Sequence, residues 1–477
     1  MKDAQQGRLK LRAAAGFRLP ALPGTPLEPR RYSSTYHDTP DHRLASAGVA
    51  LRYRSENGYG AWQLRLPAND SWIELELPGS PDRVPRRFRD LVTATLRDRT
   101  TSEVATLDTM RRGVRVERSG RVVAEVTVDQ VVVRAGEESV RAFDEVEVDL
   151  IEGGERDLRR IGRRLHEAGA VDGDQQPKLL RALGLAQSDP PRVDPEAPPR
   201  RQLAAMLQIQ YHAILAHDPG TRLGADPEEL HQHRVAVRRL RALLRAARPM
   251  IDREWADELR DQLRWLGSTL GEVRDLDVLL EHLEDEAAEL EPDDAQAFAP
   301  VLAVLANRRE AARALMLAEL RDPRYIRLLE RLERDLAYPP EAGEAVKPRA
   351  IAAAEFRGLR KAWRRLGSDP DDHELHELRI KVKRARYAAE LAMPSRGAKA
   401  RRFVKHAKRL QDVLGDHQDS VVAAERLREL AVATGDPRAA LAGGLVVARQ
   451  AERREAAREA FPEAWRALKR SGKRAWL

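Results

Sequence analysis

The sequence contains no cysteine in 477 residues. That excludes disulfides, thiolate metal sites and a cysteine nucleophile, and it fits a reducing compartment. Long apolar runs are also missing. No window approaches the roughly 18 residues that a membrane helix needs, and the opening MKDAQQGRLK lacks the apolar core of a signal peptide. A soluble, cytoplasmic protein is expected. Aromatic residues make up 5% of the chain, which leaves little for the stacking platforms that bind single-stranded nucleic acid. There is no GxxxxGK[ST] loop, Ser-His-Asp constellation or HExxH helix, so no rival chemistry of those kinds is visible.

Charge is abundant instead. Charged residues are 34% of the chain, and 84 lysines and arginines against 76 acids give a formal net charge of +8. Both signs are spread widely, so the local arrangement matters more than the total: a basic cleft attracts anions whatever the sum.

Residues 186–200 (AQSDPPRVDPEAPPR) hold five prolines and read as a linker between residues 1–185 and 201–477. Before it, VALRYR, AWQLRLP, WIELELP, VVAEVTVD and FDEVEVDL alternate apolar and polar residues at period two, which predicts an antiparallel β domain with a few helices. After it, Ala, Leu, Arg and Glu dominate and apolar spacing turns to three and four, which predicts an all-helical half.

The helical half repeats itself. Leu230 to Arg241 (LHQHRVAVRRLR) recurs as Leu375 to Arg386 (LHELRIKVKRAR), and Leu266 to Asp275 (LGSTLGEVRD) recurs as Leu410 to Asp419 (LQDVLGDHQD). Two matches in register predict a duplicated bundle, with repeats over about 201–345 and 346–477. Asp226-Pro227 and Asp369-Pro370 announce the first repeated helix alike, as an N-cap followed by proline at the first helical position.

In the first copy His231, Arg234, Arg238, Arg241 and Arg245 fall on one helical face, while Val237, Leu240 and Leu244 fall on another suited to the core. The second copy presents His376, Arg379, Lys383 and Arg386. A solvated outer face explains a lone arginine stripe. Histidine at the same place in both copies favours two basic ridges flanking one groove. Cations one turn apart suit a repeating phosphate polymer, because guanidinium groups match phosphate oxygens bidentately and lysine adds a mobile point charge. Neighbouring arginines should depress the histidine pKa values and a bound polyanion should raise them, so binding should tighten as pH falls from about 7 to 6.

The segments LHQHRVAVRRLR, LGEVRDLDVLLEHL, LHELRIKVKRAR and LQDVLGDHQDS resemble the CHAD family, the conserved-histidine α-helical domain, from about Gln202 onward. The resemblance implies a two-half bundle whose basic pore or groove binds inorganic polyphosphate, often on polyphosphate granules. Asp275 and Asp419, beside Arg274 and Gln418, are expected to orient the basic side chains.

In the β half Arg52 with Arg54, Glu74 with Glu76, Glu125 with Asp129, and Glu145, Glu147 with Asp149 each alternate along one strand; Arg65 sits in WQLRLP. A sheet with one solvated face gives the same pattern. Cationic strands beside anionic ones would instead line a closed barrel with phosphate-binding and metal-binding walls. The segments YHDTPDHRLASAGVALRYR, WQLRLP, IELELP, VDQV, FDEVEVDL and PKLLRALG resemble the CYTH domain of the triphosphate tunnel metalloenzymes, over about residues 6–185. Such enzymes hydrolyse inorganic triphosphate or thiamine triphosphate, or cyclise ATP, with Mg²⁺ or Mn²⁺. The resemblance implies that Lys10, Arg52, Arg54, Arg65, Arg111 and Lys178 hold phosphates. It also implies that Glu74, Glu76, Asp129, Glu145 and Glu147 hold metal or position water, Glu145 and Glu147 being the catalytic pair.

One departure stands out. The family opens with Glu-x-Glu-x-Lys; with its lysine on Lys10, Gln6 and Arg8 take the places of the glutamates. Three explanations stay open: a phosphate binder with impaired catalysis, which is favoured; one metal held by the remaining carboxylates; or a first strand upstream of the recorded start. The expected fold class is α+β with two domains, an N-terminal antiparallel β-barrel tunnel with helices and a C-terminal all-α duplicated bundle. The expected function is that of a bacterial polyphosphate-binding protein with tripolyphosphate or a nucleoside triphosphate in its tunnel. An active Mg²⁺-dependent triphosphatase is the rival, and nucleic-acid binding a third reading that the few aromatics disfavour.

Overall fold

The computed structural model describes residues 7–14, 16–68, 71–135, 138–173, 178–186, 189–342, 346–367 and 369–477; Gln6 lies outside them. The chain divides into two compact units, Met1–Asp189 and Pro190–Leu477.

The first unit comprises β1 (Arg8–Ala13), β2 (Gly24–Asp38), α1 (Arg43–Ser46), β3 (Ala50–Glu56), β4 (Tyr59–Ala68), β5 (Ser71–Pro78), α2 (Arg86–Leu91), α3 (Thr93–Leu96), β6 (Ser102–Arg118), β7 (Arg121–Ala135), β8 (Glu138–Leu150), α4 (Glu155–Glu167), β9 (Ala170–Asp172) and α5 (Lys178–Leu183). All strands join one antiparallel sheet in the order β5-β4-β3-β2-β6-β7-β8-β1-β9. Period-two alternation gives β7 and β8 two different faces. Val126, Val146 and Val148 pack with Leu11 beneath Ile161 and Leu165 of α4, each such side chain contributing about 1.5–3 kcal/mol when fully buried. Thr127, Asp129, Glu145 and Glu147, on the opposite face, are buried as well. At one end α5 closes against the sheet through Leu179, Leu180 and Ala182, which pack on Tyr36, Leu107, Val131 and Val133.

The sheet is antiparallel as expected, but its ladder is not closed among the described residues. Its edges are β5 and β9, and β9 is only three residues long. The sheet curls nonetheless. Five ladder steps of about 4.8 Å would put β4 and β8 roughly 24 Å apart in a flat sheet, yet Arg65 on β4 is electrostatically coupled to Arg8 on β1 and Glu147 on β8. The result is a tunnel made by curvature without a hydrogen-bonded seam.

The second unit is all helical: α6 (Pro199–Leu223), α7 (Pro227–Ala246), α8 (Arg253–Ala288), α9 (Pro292–Glu319), α10 (Pro323–Asp335), α11 (Pro348–Trp363), α12 (Asp372–Leu391), α13 (Met393–Thr434) and α14 (Pro437–Trp476). Each helix of α6-α7-α8-α9 packs on the next, α11-α12-α13-α14 repeats that order of neighbours, and α7 meets α12. Val237, Leu240 and Leu244 are buried, as are Leu375, Leu378 and Val382. Asp226 caps α7 by accepting the Glu228 N–H, with Pro227 at the first helical position. The cap expected at Asp369 is displaced in the second copy. Asp371 accepts the Glu374 N–H at 2.7 Å while the Glu374 carboxylate accepts the Asp371 N–H at 3.0 Å. This reciprocal pair satisfies two helix-end donors at once, and Asp369 pairs with Arg458 instead. Among the described residues no helix is long and apolar enough to cross a membrane.

Candidate functional site

A cavity of about 1690 Å³ lies within the helical unit, lined from α7, α8, α9, α12, α13 and α14. It brings together His231, Arg234 and Arg238 of the first ridge with His376, Arg379 and Lys383 of the second. Arg241, Arg245 and Arg386 are not part of its lining. Arg241 and Arg245 face further cations, Arg260 and Arg264 for the former and Arg384 for the latter. Arg386 lies over the Tyr387 ring and 3.4 Å from Glu390.

The ridges are seated alike. A Cβ added at Gly271 would meet the Arg234 guanidinium at 3.5 Å, and one added at Gly415 would meet the Arg379 guanidinium at 3.5 Å. Helices α8 and α13 thus each present a glycine beneath an equivalent arginine. The side chains that support the ridges differ between the copies. Asp275 pairs with Arg234 at 2.7 Å, whereas Gln418 holds His376 Nδ1 at 2.8 Å.

Sequence reasoning gave Arg274 only a supporting place and missed His282, Arg308, Arg426 and Arg453, all of which line the cavity. Eight lysines and arginines therefore face four acids, Glu272, Asp275, Asp416 and Asp419. Arg426 and Arg453 pair elsewhere, with Glu429 and Glu286. Among the described residues, Arg238, Arg274, Arg308, Arg379 and Lys383 have no acid at ion-pair distance. The Nε atoms of Arg274 and Arg379 are buried without a partner. Burial, then Arg379 and Arg238, push the Lys383 amine down to about 8. Burial and the neighbouring Arg274, Arg238 and Arg234 lower His231. Burial raises the Asp419 carboxyl despite Arg379 and Lys383. Such a site holds uncompensated positive charge in a partly desolvated place, where an anion gains most.

The tunnel is organised differently. Asp129 accepts both nitrogens of a bidentate Arg111 contact at 2.6 and 2.8 Å, Lys178 at 2.8 Å and the Tyr32 hydroxyl at 3.2 Å. Glu145 pairs with Lys10 at 2.8 Å, Lys178 at 2.9 Å and Arg181 at 3.0 Å. Glu147 pairs with Arg8 at 2.8 Å and lies 3.7 Å from Arg111. Burial alone would raise the Asp129 carboxyl, but Arg111 and Lys178 overcome it and hold it at about 2. Glu145 is likewise lowered by Lys178 and Lys10 against burial. Helix α5 supplies Lys178 and Arg181, and the latter was not anticipated from sequence.

The other three candidate phosphate ligands are less tied to acids. Arg52 reaches Gln63, the Tyr36 hydroxyl and Glu74, the last at 3.0 Å. Arg54 lies 3.8 Å over the Tyr32 ring and 3.4 Å from Glu56, and Arg65 lies 4.3 Å over the Trp72 ring. Glu74 and Glu76 are exposed on the edge strand β5, where Glu76 accepts from Gln63.

The proposed metal ligands do not fit a divalent cation. Mg²⁺ or Mn²⁺ in such a site keeps several waters and takes one or two free carboxylates beside the substrate phosphates, at about 2.1 Å. Asp129, Glu145 and Glu147 are each engaged by fixed cations, Glu74 and Glu76 stand on the edge strand, and among the described residues no three acids or histidines converge as a metal cradle.

A curled antiparallel sheet with inward-facing charges, followed by a helical unit with a duplicated basic ridge, defines a CYTH domain joined to a CHAD domain. Residues 8–179 match the CYTH domain and residues 205–428 match the CHAD domain. The chain belongs to the CYTH domain and CHAD domain families; it is similar to the "Uncharacterized protein Rv2226" of Mycobacterium tuberculosis, 30% identical over 476 residues, a span of 94% of this chain and 91% of the relative. Among solved structures, PptA from Streptomyces chartreusis is 25% identical, covers 57% of this chain and 100% of its own, and has a TM-score of 0.48. The CHAD domain from the plant Ricinus communis is 29% identical, covering 59% and 96%, with a TM-score of 0.49.

Proposed function

We propose that the helical unit binds inorganic polyphosphate in the cavity lined by α7 and α12, and that the tunnel unit binds a short chain such as tripolyphosphate or the triphosphate of a nucleotide, with hydrolysis impaired. The observation that carries the reading is the set of five cations, Arg238, Arg274, Arg308, Arg379 and Lys383, that line one cavity with no acid at ion-pair distance among the described residues. Like charges at this density repel one another, and a polymer carrying a charge on every phosphate relieves that repulsion along its whole length. Cytoplasmic polyphosphate granules are the compartment this chemistry suits.

Nucleic acid offers the same charge but brings bases that need stacking partners. The cavity lining contains no Phe, Tyr or Trp among the described residues. Competition is the test. Long-chain polyphosphate is expected to displace RNA of matched phosphate concentration at physiological salt, with affinity growing over polyphosphates of increasing defined length. RNA displacing polyphosphate would overturn the reading.

A further inference from the structure

The tunnel contains a cation where a metal site would need an acid. Arg8 and Lys10 alternate along β1, which pairs with β8 in the register Arg8↔Asp149 and Lys10↔Glu147. Both side chains therefore project to the face that carries Glu145, Glu147 and Asp149. Arg8 donates from Nη2 to Glu147 at 2.8 Å and meets Asp149 from Nε at 3.0 Å. One guanidinium thus spans two carboxylates that could otherwise share a divalent ion.

The neighbouring acids are closed in the same way. Asp129 is held by Arg111 and Lys178, and Glu145 by Lys10, Lys178 and Arg181. Glu145 is fully buried, so a cation entering there must displace partners that are themselves desolvated, which leaves buried charge behind. Arg111 and Arg65 oppose the Arg8 charge, so taking its acids away would leave that repulsion uncompensated. The acids therefore serve to fix the cations. Arg65, held over the Trp72 ring, and Arg52 and Arg54, whose acid partners Glu74 and Glu56 are solvent-accessible rather than fully buried, remain for the ligand, and guanidinium forks bind phosphate oxygens without any metal bridge.

We propose that this tunnel is a metal-independent receptor for a linear triphosphate, with Arg8 as the built-in counter-cation of Glu147 and Asp149 in place of a divalent ion. The inference rests on the reading of the tunnel as a triphosphate site, and one experiment separates the two. The full chain carrying Arg238→Ala and Arg379→Ala, in which the helical cavity is expected to bind about a hundredfold more weakly, is titrated with tripolyphosphate by calorimetry, in EDTA and then in excess Mn²⁺. Affinity in EDTA is expected to equal or exceed that in excess Mn²⁺, because Mn²⁺ chelated by tripolyphosphate neutralises part of the charge that the arginines read. Electron paramagnetic resonance of Mn²⁺ should reveal no ion whose binding depends on Glu147. Arg8→Lys, which keeps the charge, is expected to retain metal-free binding. Arg8→Glu is expected to lose about tenfold or more in EDTA and to recover with Mn²⁺, with a new bound-ion signal. Binding that appears only with Mn²⁺, or a Mn²⁺ signal in the parent that Glu147→Gln removes, overturns the inference while leaving the triphosphate site standing. Absence of binding under both conditions overturns the triphosphate reading, and the inference falls with it.

Discussion

The tunnel and the helical cavity draw on the same residue types and arrive at opposite electrostatic states. In the tunnel Lys10, Arg111, Lys178 and Arg181 each carry a buried carboxylate, so positive charge is fixed in place before any ligand arrives. In the cavity Arg238, Arg274, Arg308, Arg379 and Lys383 have no such partner among the described residues, and their mutual repulsion is a standing cost that only an anion offsets. The pKa values record the contrast. Asp129 sits at about 2 because cations crowd it, whereas Lys383 falls to about 8 because burial and other cations do. Preorganised charge suits a ligand of defined length; uncompensated charge suits one whose charge is open-ended.

Breaking the unpaired set should give the largest effect. Each charge-assisted contact contributes about 1.5–3 kcal/mol, so Arg238→Ala with Arg379→Ala is expected to weaken long-chain polyphosphate binding about a hundredfold or more in calorimetry. An unchanged affinity would place the polymer elsewhere. The next effect comes from protons. Below about 8 the Lys383 amine of the free protein is charged; above it the amine is neutral until a bound polyanion restores the proton. Affinity is therefore expected to fall as pH rises from about 8, approaching tenfold per unit, and Lys383→Arg should flatten that profile. The smallest effect tests a pair that the cavity does keep. Asp275 holds Arg234 at 2.7 Å but is largely exposed, and such pairs contribute about 0–1 kcal/mol. Asp275→Asn should release Arg234 and tighten polyphosphate binding by up to about fivefold; weaker binding would make Asp275 a positioning residue.

Much of this was legible in the sequence, for identifiable reasons. Repetition exposed the ridges, and the 3.6-residue period separated Val237, Leu240 and Leu244 from the cations correctly. Helical spacing alone does not mark where a cavity ends, so Arg241, Arg245 and Arg386 were grouped with residues that line it. Arg274 was given a lesser part because its counterpart is the neutral Gln418, and Arg308 and Arg453 lie on helices with no repeated motif. In the tunnel, period two revealed two faces of β8 but not that both are covered, Val146 and Val148 by α4 and Glu145 and Glu147 by the curl of the sheet. The departure at Arg8 was visible as an oddity of charge. Its partners, Glu147 and Asp149, lie about 140 positions away in the chain, and only strand pairing brings them to it.

The meeting of α7 with α12 has a consequence for direction. Arg238 and Lys383 occupy equivalent places in the two ridges and influence each other across the contact, so the cavity offers comparable donors whichever end a ligand enters first. A strand with distinct ends would meet the same pair of donors in either orientation, so these positions do not read polarity. A chain of identical phosphates has no forward or backward, and every approach is a correct one.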